Sequence, residues 1–539
     1  MKKHLLLFSL AALLIFSSCG SKGQDQETVE TKVSTSMPQV SMKTKAMDQG
    51  EMMLSEREES RDEDQMTGKD FNTENYDKIT ENQFVSPINN PLSTFSIDVD
   101  TASYANMRRF LTENHQLPPK DAVRIEEMVN YFKYDYPQPK DEHPFSVNLE
   151  SGICPWNQKH YLIRIGLKGK EVPVEKLPPS NLVFLLDVSG SMSDYNKLPL
   201  LKKTLEILVE NLRKEDRVAI VVYAGAAGLV LKSTPGNEKE TIMQAFNKLE
   251  AGGSTAGGEG IELAYKIAKE NFIKNGNNRV ILATDGDFNI GASSDAEMER
   301  LIEKKREEGV FLTVLGFGMG NYKDSKMEKL SNAGNGNYAY IDNVLEAKKV
   351  MGKEIWGTLF TIAKDVKIQI EFNPAKVKGY RLIGYENRML KSEDFNDDKK
   401  DAGEIGSGHT VTAFYEIIPS SSDEKIPGID DLKYQKKETV TSDELLTIKF
   451  RYKKPDGDKS ILISQPVKDS DIGKTVSENF QFASAVIEFG LLLRDSEFKG
   501  TSSYQNVLTL AKQSKGKDEE GYRAEFIKLV ETASLLKKK

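Results

Sequence analysis

The sequence predicts an α/β fold: a doubly wound, mainly parallel sheet inserted between flanking α+β or β-sandwich regions, with a C-terminal helical segment. Two observations predict the central sheet. Residues 181–350 alternate short apolar runs with amphipathic stretches, and runs that are apolar throughout are typical of parallel strands buried on both faces. A third observation, period-two alternation beyond residue 360, predicts antiparallel strands in the flank.

The composition excludes several classes of protein. At 539 residues, the chain is too long for a single hydrophobic core, so several domains are expected. Its 38% hydrophobic and 29% charged residues are ordinary for soluble globular protein and argue against several membrane spans. A net charge of -8 with both signs interspersed offers no basic field for nucleic acid, and five histidines with two cysteines offer no zinc spacing.

The first 19 residues (1–19) have the layout of an export signal. Positive residues precede an apolar run from Leu5 to Phe16, and small residues then lead to Cys19. This layout resembles a bacterial lipoprotein signal, in which cleavage leaves Cys19 as the lipid-bearing first residue; an ordinary secretory signal is the alternative. The resemblance implies lipid anchoring to a membrane of the bacterial cell envelope, either periplasmic or surface-exposed. Residues 20–82 are polar and lack a sustained apolar period, so we expect a disordered tether.

Residues 83–180 predict a small α+β region. The alternating run from Ser93 to Val99 predicts a strand, and Asp100 or Thr101 can cap the helix that follows. A second helix is expected from about Asp121, because apolar residues recur there at helical spacing until two closely spaced prolines.

Residues 181–355 predict the parallel sheet and its helices. Strands are expected at 181–187, 217–223, 228–232, 279–283, 310–315 and 338–341. Helices are expected at 198–212, 238–249, 259–274, 294–308, 324–333 and from 344. One short strand is expected to be antiparallel at an edge of the sheet.

The first strand of this segment ends in a cluster of oxygen-bearing side chains. Asp187, Ser189 and Ser191 lie two apart in a loop that turns at Gly190, so their oxygens can point at one position. Ligands that are oxygen without sulfur or imidazole suit a hard cation, Mg²⁺ first. The carboxyl end of a parallel strand is also where such sheets bind ligands. The alternative is that Asp187 and Ser189 only cap the following helix, but a cap needs one acceptor and this loop offers three.

The pattern Asp187-Val-Ser189-Gly-Ser191 resembles the start of the metal-ion-dependent adhesion site of von Willebrand factor type A domains. In that family, a Thr from a second loop and an Asp after a later strand complete the site. Thr255 and Asp285 match these positions, with Ser254 as the neighbour that could replace Thr255. The resemblance implies a Rossmann-like type A domain that binds Mg²⁺, or Mn²⁺ or Ca²⁺, through Asp187, Ser189, Ser191, Thr255 and Asp285. It also implies a protein partner that presents an Asp or Glu side chain to the metal.

Residues 356–539 predict a β-rich region followed by helices. Strands are expected at 363–372, 380–385, 409–418, 445–452 and 460–465, and helices from about 478. Strands on both sides of the inserted segment could form one sandwich, which would make the two flanks a single discontinuous domain.

From about residue 85 to the end, the layout resembles a family of bacterial lipoproteins in which a type A domain lies between N-terminal and C-terminal flanking domains. The motif at 95–106, Phe-Ser-Ile-Asp-Val-Asp-Thr-Ala-Ser-Tyr-Ala-Asn, carries this resemblance. The favoured hypothesis is a membrane-tethered binding or scaffold protein, not an enzyme, that grips an acidic residue of its partner through Mg²⁺. Two alternatives stay open: an accessory metal-binding subunit of an ATPase-linked envelope complex, and a metal-dependent hydrolase. Hydrolysis would need a general base, and the five histidines lie outside the type A segment.

Overall fold

The computed structural model describes residues 73–538, apart from 255–256, 287, 289–293, 427–441 and 474. The strands are β1 Leu92–Ser96, β2 Phe145–Cys154, β3 Asn157–Gly169, β4 Ser180–Asp187, β5 Arg217–Tyr223, β6 Ala227–Pro235, β7 Asn277–Thr284, β8 Phe311–Gly316, β9 Tyr338–Tyr340, β10 Thr361–Phe372, β11 Val377–Ile383, β12 Met389–Leu390, β13 Gly403–Gly406, β14 Thr410–Pro419, β15 Glu444–Lys453 and β16 Ile461–Lys468. The α-helices are α1 Ala102–Thr112, α2 Ile125–Asn130, α3 Leu198–Asn211, α4 Lys239–Asn247, α5 Gly257–Glu270, α6 Asp295–Glu307, α7 Asp324–Ala333, α8 Val344–Ala347, α9 Ile355–Leu359, α10 Glu478–Arg494, α11 Tyr504–Gln513 and α12 Tyr522–Lys537.

The central sheet has six strands in the order β6-β5-β4-β7-β8-β9. Neighbouring strands are parallel except for β5 and β6, so the predicted doubly wound, mainly parallel sheet is confirmed. In β4, Leu182, Phe184 and Leu186 face one hydrophobic core, while Val183 and Leu185 face the other. Because helices cover both faces, every residue of β4 is buried, and its central run from Leu182 to Leu186 is apolar without interruption.

Two antiparallel sheets combine strands from both flanks. One contains β12, β1, β10, β15 and β16 with β13 beside β10, and the other has the order β11-β14-β3-β2. Strand β1 pairs with β10, with Phe95 opposite Ile368, and β3 pairs with β14, with Ile165 opposite Ala413. These four side chains belong to one core between the two sheets. The segments before and after the type A region therefore build a common sandwich.

A helical layer covers the outer face of the four-stranded sheet. Helices α2, α10, α11 and α12 share a core with Leu162 of β3 and Phe414 of β14. Helix α1 joins this layer to the type A region, because Tyr104 packs in the helical core while Ala105 packs against the central sheet. No helix among the described residues combines the length and apolarity that a membrane crossing requires.

The chain leaves the sandwich to form the type A segment and returns to the sandwich at the same corner. Strand β3 ends at Gly169, whose backbone N–H donates to the His409 carbonyl at 2.8 Å. Strand β10 begins at Thr361, which pairs with Gly406 of β13. A β-carbon on Gly169 would come within 2.5 Å of the Gly406 carbonyl oxygen, so the close approach requires glycine. The chain therefore enters and exits the type A segment at adjacent points.

Residues 73–82, which the sequence places at the end of the tether, are held against the protein. The Thr73 N–H donates to the Gly320 carbonyl at 2.8 Å, and the Asn75 N–H donates to the Tyr322 carbonyl at 3.0 Å. Further along, the Ile79 N–H donates to the Asp121 carboxylate at 2.8 Å. The sequence gives no sign of this attachment, because the segment forms no helix or extended strand with a period of its own.

The helix expected from about Asp121 is interrupted. A 3-10 turn at Lys120–Ala122 is followed by extended backbone at Val123 and Arg124, and α2 begins at Ile125. The Ser103 hydroxyl accepts from the Arg124 N–H at 2.8 Å and donates to the Ala122 carbonyl at 2.7 Å. The interruption sends the Arg124 side chain toward carboxylates of α7, a long-range requirement that helical periodicity does not record.

Candidate metal centre

The structure brings the described residues of the predicted metal site to the carboxyl edge of the central sheet. Asp187 ends β4, and Asp285 directly follows β7, its parallel neighbour. Ser189 and Ser191 lie in the loop after β4, at the start of a 3-10 turn spanning Gly190–Ser193. Thr255 lies outside the described residues, as does Cys19.

Backbone hydrogen bonds join the loop after β4 to the loop before α5 at this edge. The Gly190 N–H donates to the Gly253 carbonyl at 3.0 Å, and the Gly252 N–H donates to the Val188 carbonyl at 2.8 Å. Gly253 has a φ of 81°, a conformation that glycine adopts without steric cost. The loop that carries the two serines is therefore paired with the loop that leads to the predicted threonine.

Asp187 is fully buried and its carboxylate is held by neutral donors. One oxygen accepts from the Ser189 N–H at 2.9 Å, and the other accepts from the Tyr223 hydroxyl at 3.0 Å and the Thr284 hydroxyl at 3.4 Å. Burial raises the pKa of Asp187 to about 6, against hydrogen bonds from Ser189 that lower it. The nearby Asp285 carboxylate raises this pKa further. A cation at this edge would relieve the cost of two buried carboxylates close together.

The two serine hydroxyls are spaced as adjacent ligands of a magnesium ion would be. In an octahedral shell with metal–oxygen distances of about 2.1 Å, neighbouring ligand oxygens are about 3 Å apart. The Oγ atoms of Ser189 and Ser191 are 3.0 Å apart. With the carboxylates of Asp187 and Asp285 at the same edge, the donors are all oxygen and fit a hard divalent cation.

Lys197 is the residue at this edge that the sequence interpretation missed. Its ammonium donates to Asp285 Oδ2 at 3.0 Å and to the Ser191 carbonyl at 2.9 Å, and the residue is only 8% exposed. Lys197 directly precedes α3, where a positive charge opposes the helix dipole. That unfavourable position is the signal in the sequence that could have identified it.

Among the described residues, Asp194 and Cys154 are not placed as metal ligands of this site. Asp194 has a side chain that is 65% exposed and lies 3.5 Å from the Lys197 ammonium, while Asp287 lies outside the described residues. Among the residues that the structure describes, no group of three or more His, Cys, Asp or Glu side chains could hold a metal ion. The candidate site therefore depends on its serine hydroxyls. Cys154 is buried beside Glu416, and burial raises the pKa of its thiol, as expected for a structural cysteine.

Comparison with protein families divides the chain into three matched stretches. The model for the von Willebrand factor type A domain matches residues 181–352. A second model, described as von Willebrand factor, matches residues 70–164. The model described as "Uncharacterized protein YfbK, C-terminal" matches residues 357–536.

Known proteins give both extensive and partial matches. YfbK of Escherichia coli (strain K12) is 45% identical over 475 residues, which cover 86% of this chain and 81% of YfbK. The human inter-alpha-trypsin inhibitor heavy chain H3 is 29% identical over 176 residues, 31% of this chain and 19% of that protein. A solved structure of a von Willebrand factor type A protein from Catenulispora acidiphila is 15% identical with a TM-score of 0.40, covering 71% of this chain and 89% of that one.

Proposed function

This chain belongs to the family of bacterial proteins that join a von Willebrand factor type A domain to the YfbK C-terminal domain, and on that premise we propose that it is a metal-dependent binding or scaffold protein. Type A domains are typically non-enzymatic modules for protein–protein interaction. The finer proposal is that this chain holds Mg²⁺ at the carboxyl edge of its central sheet and that the metal binds an Asp or Glu side chain of a partner protein.

The observation that carries the proposal is the chemistry of the ligands at this edge. Ser189 and Ser191 offer neutral hydroxyls 3.0 Å apart, next to the carboxylates of Asp187 and Asp285. Neutral ligands leave more of the positive charge of Mg²⁺ uncompensated than carboxylate ligands would. Because Mg²⁺ usually keeps several waters, an acidic side chain can replace one of them and complete the shell. Thr255 supplies a third hydroxyl in this proposal.

The first test compares two serines of the same turn. Ser191→Ala removes a proposed ligand, whereas Ser193→Ala removes an exposed hydroxyl two residues further on and serves as the matched control. Calorimetric titration with Mg²⁺, Mn²⁺ and Ca²⁺ should show weaker binding for Ser191→Ala by about 10-fold or more and no change for Ser193→Ala. Equal affinity in both variants and the wild type would reject the adhesion-site proposal.

The second test asks whether the metal mediates partner binding. The wild type should retain a partner from native cell envelope in Mg²⁺ and lose it in EDTA, and Asp187→Ala should not retain it in either condition. Retention of the same partner in EDTA would show an interaction that does not use the metal, which contradicts the proposal.

Anchoring through Cys19 is the remaining part of the proposal. In this proposal, an export signal that ends in Cys19 directs the protein to the cell envelope, and residues 20–72 connect the lipid to the described part of the chain. Metabolic labelling with a fatty acid should mark the wild type and not Cys19→Ser, and the variant should leave the membrane fraction. Equal membrane association of both proteins would contradict lipid anchoring.

A further inference from the structure

The side chain of Lys197 places a positive charge inside the candidate metal centre. An ammonium group with little access to water is costly unless it is paired with opposite charge. The cost at Lys197 is offset by the Asp285 carboxylate at 3.0 Å and the Ser191 carbonyl at 2.9 Å. The group therefore occupies a position that already stabilises a cation.

The neighbouring loop is shaped to admit this side chain. Gly318 follows β8 and has a φ of 77°, and a β-carbon there would lie 2.8 Å from Lys197 Cγ. Any larger residue at this position would push the lysine stem away from the sheet edge. The Lys197 side chain thus runs past Gly318 to the Ser191 carbonyl.

A second acceptor for the ammonium lies at the surface. The Asp194 carboxylate is 3.5 Å from Lys197 Nζ, and its side chain is 65% exposed. Lysine has a flexible stem, so the ammonium can move from the buried Asp285 toward Asp194 by changing rotamers. Such a movement would separate the ammonium from Asp285 and let a divalent ion take its place beside the carboxylate.

We propose that Lys197 is the resident cation of this site: it neutralises Asp285 in the metal-free protein and moves to Asp194 when a divalent ion binds. This inference rests on the proposed function, because it assigns a role to Lys197 relative to the same metal site. A divalent ion then competes with a charge of the chain itself, so the apparent affinity of the site for Mg²⁺ is lowered. Lys197 acts as a positioning residue, not as a metal ligand.

The decisive experiment compares two lysines at the start of α3. Lys197→Met keeps an apolar stem and removes the charge, and Lys203→Met is the control because that side chain is 66% exposed. In calorimetric titrations of the purified protein with MgCl₂, Lys197→Met should bind Mg²⁺ at least about 10-fold more tightly than the wild type, and Lys203→Met should match the wild type. Asp194→Ala should bind Mg²⁺ more weakly than the wild type, since the displaced ammonium loses its second acceptor.

The outcomes separate this inference from the proposed function. If the wild type binds Mg²⁺ and Lys197→Met binds equally or more weakly, the inference is rejected and the metal site stands. If only Lys197→Met binds Mg²⁺, the inference is supported and the proposed function fails for the natural sequence. If neither binds, both are rejected.

A measurement without metal gives an independent test. In EDTA, Lys197→Met leaves Asp285 without its ammonium, so its unfolding midpoint should fall below that of the wild type. The double variant Lys197→Met/Asp285→Asn removes both charges and should recover part of that loss. Additive effects of the two substitutions would show that the pair is not coupled and would overturn the assignment of Lys197 as resident cation.

Discussion

Buried carboxylates occur at two places in the molecule, on α7 next to the start of α2 and at the metal-site edge of the central sheet. They are buried to a similar degree, but the side chains that neutralise them differ. At the first location, Arg124 contacts Asp324 and also lies 2.8 Å from Glu328, and all three side chains are at most 8% exposed. At the second, Asp285 pairs with Lys197. A guanidinium is always charged and binds carboxylates through a rigid planar fork, whereas an ammonium is a point charge on a flexible stem. The arginine pairing, which we call the permanent arrangement, therefore suits a fixed contact. The lysine pairing suits a position where one cation can be replaced by another.

The permanent arrangement recurs where the N-terminal helices meet the type A segment. Arg108 of α1 donates to Asp342 through two bonds of 2.6 and 2.7 Å, and it lies 2.7 Å from Glu346. Both acids belong to the stretch around β9 and α8. The type A segment is thus fixed to its flank by several buried arginines, while the edge that faces solvent keeps a lysine.

The largest effect on stability is expected from breaking the permanent arrangement. Arg124→Met leaves Asp324 buried without its guanidinium, whereas Glu328 keeps Arg388 at 3.6 Å. Because removing one partner of a buried ion pair leaves an uncompensated charge, the free energy of unfolding should fall by about 3–5 kcal/mol. Denaturant unfolding at neutral pH measures this loss. A loss below about 1 kcal/mol, as for an exposed pair, would end the distinction between the two arrangements.

The metal-site edge should respond in the opposite way, with loss of binding rather than of stability. Asp187→Asn keeps the size of the side chain and removes its charge. Mg²⁺ affinity should fall at least about 100-fold, because even changes one shell away from a metal cost about 10–100-fold. The free energy of unfolding in EDTA should fall by less than for Arg124→Met, because Asn can still accept from the Ser189 N–H and leaves no unpaired charge. Severe destabilisation of the metal-free variant would mean that Asp187 serves the fold and not the ion.

A third buried acid, Glu488, has no cation in place within the part of the chain that the structure describes and is neutralised by a proton instead. Glu488 of α10 is 1% exposed, and its Oε1 has no hydrogen-bond partner among the described residues. Burial raises the pKa of Glu488 to about 7 from an ordinary value of 4.5, against the nearby Ser502 hydroxyl, which lowers it. Glu488 therefore keeps its proton in the folded state at pH values where the unfolded chain releases it.

The sign of the resulting pH dependence follows from this difference. Between about pH 4.5 and 7 the folded state binds more protons at Glu488, so its contribution to stability is lost as the pH rises, by at most about 1.4 kcal/mol per unit. Glu488→Gln lacks this component and should gain stability relative to the wild type as the pH increases from 5 to 8. Unfolding curves at each pH measure the gap, and a gap that stays constant with pH would show that Glu488 does not titrate in this window.

The smallest effect is expected at an exposed ion pair. Lys120 and Asp495 are 3.1 Å apart, but their side chains are 63% and 51% exposed. Because water screens such a pair, Lys120→Ala should change the free energy of unfolding by less than about 1 kcal/mol. The same denaturant series that measures Arg124→Met provides this value. A loss as large as that of Arg124→Met would show that burial does not set the difference.

The sequence predicts the parts of this molecule that depend on local pattern. The continuous apolar run of β4 follows from burial on both faces, and Asp187, Ser189 and Ser191 could be chosen because they follow that strand directly. Asp285 could be chosen for the same reason after β7. Thr255 lies outside the described residues and stays a prediction, as do the domain boundaries.

Features that depend on distant contacts could not be predicted in this way. The ammonium of Lys197 reaches Asp285 across 88 positions of sequence. Arg124 interrupts a helical pattern because two of its carboxylate partners, Asp324 and Glu328, are 200 or more positions away. The pairing of β1 with β10 likewise joins strands that lie on opposite sides of the type A segment in the sequence. The alternation of residues within each strand does not show which strand it pairs with. In each case the deciding energy comes from tertiary contacts, and these override local preference.

The corner where Gly169, Thr361 and Gly406 meet has a consequence for how this architecture can evolve. Since the chain enters and exits the type A segment at adjacent points, closing the sandwich with a different insert between β3 and β10 adds little loop entropy. The sandwich and helical layer can thus accept a different inserted domain in place of the type A segment. A new inserted domain would have to supply carboxylates for Arg108 of α1 and for Arg124, which directly precedes α2.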